Sequence, residues 1–226
     1  MTDNSLTYIA AVLDRSGSMQ SMAHAVTQGF DDFIAEQRGV PGRCLVSLAQ
    51  FDNEYQEVFR DLPVDQVPPL DLVPRGTTAL YDAIGRTVTT VGERLAALPE
   101  DQRPGSVIVP IMTDGYENAS TEWTAAGIKD LITQQESQYS WVFLFMGTNQ
   151  DAVEEGAKMG VRRERSITFD NDRSAEAYRA TSQVVAGMRS AVMTGSPMAA
   201  PAYSADHRVR ASRRARKQME AGEQEV

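Results

Sequence analysis

One cysteine, Cys44, and two histidines, His24 and His207, are all that 226 residues hold of those types. A lone thiol excludes an internal disulfide and fits a reducing compartment. One histidine lies in a helical pattern and the other near the C-terminus, so neither supports a Ser-His-Asp triad. Long apolar runs are also missing. The longest, Tyr8–Leu13 and Val107–Met112, are strand-sized and far below the roughly 20 residues that span a bilayer, so no membrane contact is expected. Met1-Thr2-Asp3-Asn4 lacks a basic n-region and an apolar segment behind it, and the chain is read as cytoplasmic. Positive charge is in deficit, with 22 Lys and Arg against 31 Asp and Glu, net −9. Such a surface repels a phosphate backbone and argues against general nucleic-acid binding. The deficit is uneven. From Gly195 onward six basic and four acidic side chains leave the tail at +2 and the remainder at −11.

What is present is an alternation of short apolar runs and amphipathic stretches. Thr7–Leu13 has no polar alternation, as expected of a strand buried on both faces of a parallel sheet. Met19–Gln37 carries Met22, Val26, Phe30, Phe33 and Ile34 at helical spacing. Cys44–Phe51 and Tyr55–Arg60 flank the turn Asp52-Asn53-Glu54, too short for anything but an antiparallel hairpin. After a Pro-rich loop, a helix is predicted over Ala79–Leu98, with Leu80, Ile84, Val88, Val91 and Leu95 on one face. Ser106–Met112, Trp141–Met146 and Arg165–Phe169 read as strands; Trp123–Glu136, Ala152–Met159 and Ala175–Val192 read as helices. The predicted fold class is α/β: a doubly wound, mostly parallel sheet of about six strands with one antiparallel edge strand, flanked by helices. It spans residues 6–193. Residues 194–226 are expected to form a basic tail, disordered or partly helical, with Val209–Ala221 as its helical segment.

Three polar clusters fall at predicted strand ends or just before a helix. Asp14-Arg15-Ser16-Gly17-Ser18 ends the first strand, Gly76-Thr77-Thr78 precedes the helix starting near Leu80, and Thr113-Asp114-Gly115 ends the strand after it. Ligands of an open α/β sheet sit beyond the carboxyl ends of its strands, where strand order reverses, so three distant segments can meet there. Their two carboxylates and three hydroxyls are hard oxygen donors, suited to Mg²⁺, Mn²⁺ or Ca²⁺.

The same three clusters resemble the motifs of von Willebrand factor type A domains, integrin I domains among them. Asp14-Arg15-Ser16-Gly17-Ser18 is similar to their Asp-x-Ser-x-Ser, the stretch Gly76–Ile84 to their threonine loop, and Thr113-Asp114-Gly115 to their second aspartate motif. The resemblance implies a metal ion-dependent adhesion site, with Asp14, Ser16, Ser18, Thr78 and Asp114 as its metal-site residues. Thr78 is preferred over Thr77 for its distance from Ala83 and Ile84. The function implied is a non-enzymatic, cation-dependent interaction module, its Mg²⁺ (or Mn²⁺ or Ca²⁺) holding an Asp or Glu of a protein partner. The rival is a metal-dependent hydrolase or phosphotransferase acting on a phosphate-containing substrate. The sequence offers that rival little, lacking a G-x-x-x-x-G-K-[ST] loop.

Other residues receive plainer readings. Cys44, Met19 and Met22 are expected in the core. Asp52 is read as a turn residue in preference to a hydrogen-bond acceptor behind the metal ligands, and Glu117 and Asn118 as solvated loop residues rather than groups near the ion. The cluster Arg208, Arg210, Arg213, Arg214, Arg216 and Lys217 is read as a solvated charge run, and any contact with nucleic acid or an acidic partner would go through it.

Overall fold

A computed structural model describes residues 2–148, 151–194 and 201–224. Six strands form one sheet: β1 (Asp3–Asp14), β2 (Arg43–Phe51), β3 (Tyr55–Pro63), β4 (Pro104–Thr113), β5 (Val142–Thr148) and β6 (Ser166–Phe169). Their order is β3-β2-β1-β4-β5-β6, and β3 pairs antiparallel with β2 while the other pairings are parallel. The helices are α1 (Ala23–Gly39), α2 (Leu80–Ala97), α3 (Ala125–Tyr139), α4 (Ala152–Lys158), α5 (Ser174–Thr194), α6 (Ala205–Ala211) and α7 (Arg213–Gln224). This is the doubly wound α/β arrangement that the alternating pattern predicts.

The two-residue period of β1 divides the core. Ile9, Ala11 and Leu13 face α1 and α5, where Phe30, Phe33, Ile34, Val185 and Met188 are buried. Tyr8, Ala10 and Val12 face the opposite layer, with Ile84, Val88 and Val91 of α2 and Ile128 and Ile132 of α3. With helices on both faces, an unbroken apolar run is what a central strand needs. Met19, Met22 and Cys44 are buried as expected.

Strand order reverses between β1 and β4. Their register sets Leu13 beside Met112, so both strands end at the same level and the loops after Asp14 and Thr113 emerge side by side. The hairpin turn at Asp52 stands next to them, because Asp14 is level with Phe51 in the β1–β2 pairing.

The tail holds more structure than its composition suggests. Tyr203 is 4% exposed and its hydroxyl lies 2.8 Å from Thr181 Oγ1 on α5. Arg208, read as part of a solvated charge run, donates to the carbonyls of Ser166 and Arg163. Asp170 N donates to Ala211 O at 3.0 Å, and Ala211 is buried. The single helix expected over Val209–Ala221 is interrupted at Ser212, which separates α6 from α7. The charge run is therefore split: Arg208 is fixed on the body of the domain, whereas α7 exposes Arg213 and Arg216. The segment 195–200 lies outside the described residues.

Candidate metal centre

Asp14 closes β1 as a fully buried residue. Its Oδ1 accepts from Ser16 N at 2.6 Å, which folds the loop back over the strand end. Its Oδ2 accepts from the Thr113 hydroxyl at 2.6 Å, across the β1–β4 boundary. Ser16 and Ser18 have their hydroxyl oxygens 3.0 Å apart, and Ser18 donates to Asp114 Oδ1 at 2.6 Å. Two carboxylates from distant parts of the chain are thus linked through two serines.

Thr78 reaches the same place from the third loop. A Cβ added at Gly115 would lie 3.2 Å from Thr78 Oγ1 and 3.7 Å from Ser18 Oγ, so both hydroxyls lean on the backbone just after Asp114. Thr78 is buried and Thr77 exposed. Thr78 is held by Asn118, which accepts from Thr78 N at 2.9 Å and donates its own N–H to Thr78 O at 3.0 Å. The structure therefore brings Asp14, Ser16, Ser18, Thr78 and Asp114 to one rim of the sheet. Asp14 and Thr78 form the floor and Ser18 faces solvent.

The loops that carry these groups are tied to one another by backbone bonds. Gly17 N donates to Gly76 O, Arg75 N to Arg15 O, and Ala79 N to Asp52 O. Gly76 has φ +68°, and any Cβ there would stand 2.2 Å from Asn53 Oδ1, so the turn requires glycine.

Electrostatics set the centre apart from the rest of the rim. Among the described residues no Lys, Arg or His forms an ion pair with Asp14 or Asp114. Burial pushes Asp14 up to about 6, with Asp114 adding to the rise and hydrogen bonds from Thr113 and Ser16 opposing it. Burial also raises Asp114. Arg15, inside the same loop, turns away to Asp52 and Gln56. Among the described residues no group of three or more His, Cys, Asp or Glu could hold a metal, so any ion here would rely on two carboxylates and three hydroxyls. That donor set fits a hard divalent cation: two negative charges balance it and the hydroxyls add none.

Three residues matter more than their sequence context indicates. Asp52 is 1% exposed and is no ordinary turn residue. Burial would raise it, but hydrogen bonds from Arg75 and Glu54 N, with the Arg15 charge, hold it below the usual carboxylate range. Asn118 anchors Thr78, as above. Glu117 accepts from Tyr81 N at 3.0 Å in the first turn of α2 and from the N–H groups of Ala119 and Ser120. The signal for Glu117 was an acid placed to cap a helix from another loop, which cannot be read from spacing along one chain.

By fold the chain is a von Willebrand factor A-like domain. Among solved structures it is similar to a von Willebrand factor type A protein from Catenulispora acidiphila, with TM-score 0.55 and 16% identity over 80% of this chain and 43% of that one. It is similar to proximal thread matrix protein 1 from the mussel byssus, solved with a zinc-occupied MIDAS motif, with TM-score 0.53 and 17% identity over 81% of this chain and 47% of that one. The von Willebrand factor domain of the type V pili tip protein from Porphyromonas gingivalis gives TM-score 0.57 and 10% identity over 79% and 94%. The chain thus spans less than half the length of the first two proteins. No family model matches the sequence, and no curated protein does either. Among the described residues no helix is long and apolar enough to cross a membrane.

Proposed function

We propose that this domain is a protein-interaction module, not an enzyme, that binds one divalent cation, Mg²⁺ foremost, through Asp14, Ser16, Ser18, Thr78 and Asp114. The observation that carries the reading is the pair of buried carboxylates with no cation among the described residues to balance them. Leaving two such charges side by side and unpaired is costly, and a bound divalent ion removes the cost. Mg²⁺ takes about six oxygens and keeps several as water, so a bound ion supplies an exchangeable position for an anionic oxygen. The chain's own contribution is to hold the donors: Thr113 orients Asp14, Asn118 fixes Thr78, and Asp52 keeps the Arg15 guanidinium away from the carboxylates. With the two carboxylates neutralised and only hydroxyls added, the site favours one further carboxylate, an Asp or Glu of a partner. The zinc-occupied motif of the mussel protein supports the same reading for this fold.

The test is calorimetric titration of chelator-treated protein with Mg²⁺ and Mn²⁺, beside a pull-down from the native host with and without EDTA. The expected result is one metal bound per chain, lost in Asp14→Ala, and a partner whose capture needs the ion and one of its own acidic residues. Capture of every partner regardless of EDTA overturns the proposal.

A further inference from the structure

Tyr116 is 57% exposed, and its ring and hydroxyl meet no aromatic, cationic or hydrogen-bonding partner among the described residues. An exposed ring on a loose loop would mean little. Here the backbone is pinned on both sides. Gly115 N donates to Thr113 Oγ1, the same hydroxyl that donates to Asp14. On the other side Glu117 receives Tyr81 N, and Asn118 is bonded twice to the Thr78 backbone. The ring is thus presented to solvent from a fixed base, immediately after the glycine that lies against Thr78 Oγ1 and Ser18 Oγ.

We propose that Tyr116 is the specificity-determining contact of the interaction site, receiving an apolar or aromatic side chain one or two residues from the partner's Asp or Glu. The inference rests on the metal-dependent reading above. Tyr116 follows Asp114 by two residues on the same pinned loop, and an extended peptide advances about 3.3 Å per residue, so the side chains flanking the partner's acid are the ones this proposal pairs with the ring. Rigid aromatic anchors dominate interface energies because they bury much area and lose little freedom. The metal contact alone reads only a carboxylate; Tyr116 adds a second feature, set at a fixed offset from the first.

The probe is a random heptapeptide library displayed on phage and selected on the full chain in Mn²⁺. The wild-type chain is expected to enrich peptides with an acidic residue and an apolar or aromatic one within two positions. Tyr116→Ala is expected to enrich the acid alone. For an enriched peptide, Tyr116→Ala weakens binding about tenfold, the size expected for losing an aromatic anchor, while Tyr116→Phe changes it little and Mn²⁺ affinity stays the same in both. Enrichment of the acid without an apolar neighbour by the wild-type chain, or an apolar preference that survives Tyr116→Ala, overturns the role of Tyr116 and leaves the metal-dependent reading intact. A selection with no EDTA-sensitive acidic peptide overturns both.

Discussion

Arg15 Nε donates to Asp52 Oδ2 at 2.9 Å, and this bond turns the one cation in the Asp14–Ser18 loop away from the site carboxylates. Arg75 Nε reaches the same Oδ2 at 2.8 Å, so a single buried carboxylate fastens loops from three parts of the chain. Asp52→Ala leaves the Arg15 side chain, 8% exposed, without a counter-charge. A loss of about 3–5 kcal/mol is expected, the range for breaking a buried pair. Urea unfolding of the chelator-treated protein measures it. A loss under about 1 kcal/mol would mean that Asp52 is not what fixes the loop.

Asp14 gives a pH dependence whose sign can be worked out. Its folded value is raised from 3.8 to about 6, so the folded state holds the proton more tightly than the unfolded chain does. The associated stability is fully present below 3.8 and disappears as pH rises through about 6. Metal-free protein is therefore expected to gain on the order of 3 kcal/mol from this group as pH falls from 7 to 4. Asp14→Asn is expected to flatten that profile and to raise stability at pH 7 without metal. Thermal unfolding across pH in EDTA is the measurement; a metal-free wild type that loses stability steadily from pH 7 to 5 contradicts it.

Adding Mg²⁺ is expected to reverse that order. Saturating metal raises the melting temperature of the wild type, by roughly 2–4 °C for each kcal/mol of binding linkage in a chain of this size. Asp14→Asn and Asp114→Asn show no rise. Thr78→Ala shows a reduced one, because Thr78 is buried at the floor, and the exposed Thr77→Ala behaves as wild type. Equal effects at Thr77 and Thr78 would reject Thr78 as the donor.

Gly76→Ala places a Cβ against Asn53 Oδ1 and puts alanine at φ +68°. A cost of about 1–3 kcal/mol is expected from the strained backbone. Asn53→Ala in the same chain should recover part of it by removing the clash. No recovery in the double variant would show that backbone conformation alone sets the penalty.

Much of this molecule can be read from its sequence, for a physical reason. A strand covered on both faces tolerates only apolar residues, so β1, β4 and β5 appear as unbroken runs, and Ile84, Val88 and Val91 mark the buried face of α2. That the five candidate residues lie together is legible because each sits at a strand end or just ahead of a helix, and the strand order brings such ends together. What was hidden depends on partners from elsewhere. Asp-Asn-Glu looks like a solvated turn until Arg15 and Arg75 arrive to bury Asp52. Arg208 looks like one charge in a run, yet carbonyls of Arg163 and Ser166 satisfy its guanidinium. Tyr203 gave no periodic signal because it stands alone ahead of a seven-residue helix.

That segment has a consequence at the border of the sheet. β6 is an outermost strand, and outermost strands are templates on which foreign chains can add and grow into fibres. Arg208 occupies the Ser166 carbonyl at one end of β6, and Ala211 takes the Asp170 N–H just past the other. At the far border β3 carries Glu57, Arg60 and a left-handed Asp61 that distorts its pairing. Both flanks thus carry features that oppose the edge-to-edge addition of a second copy.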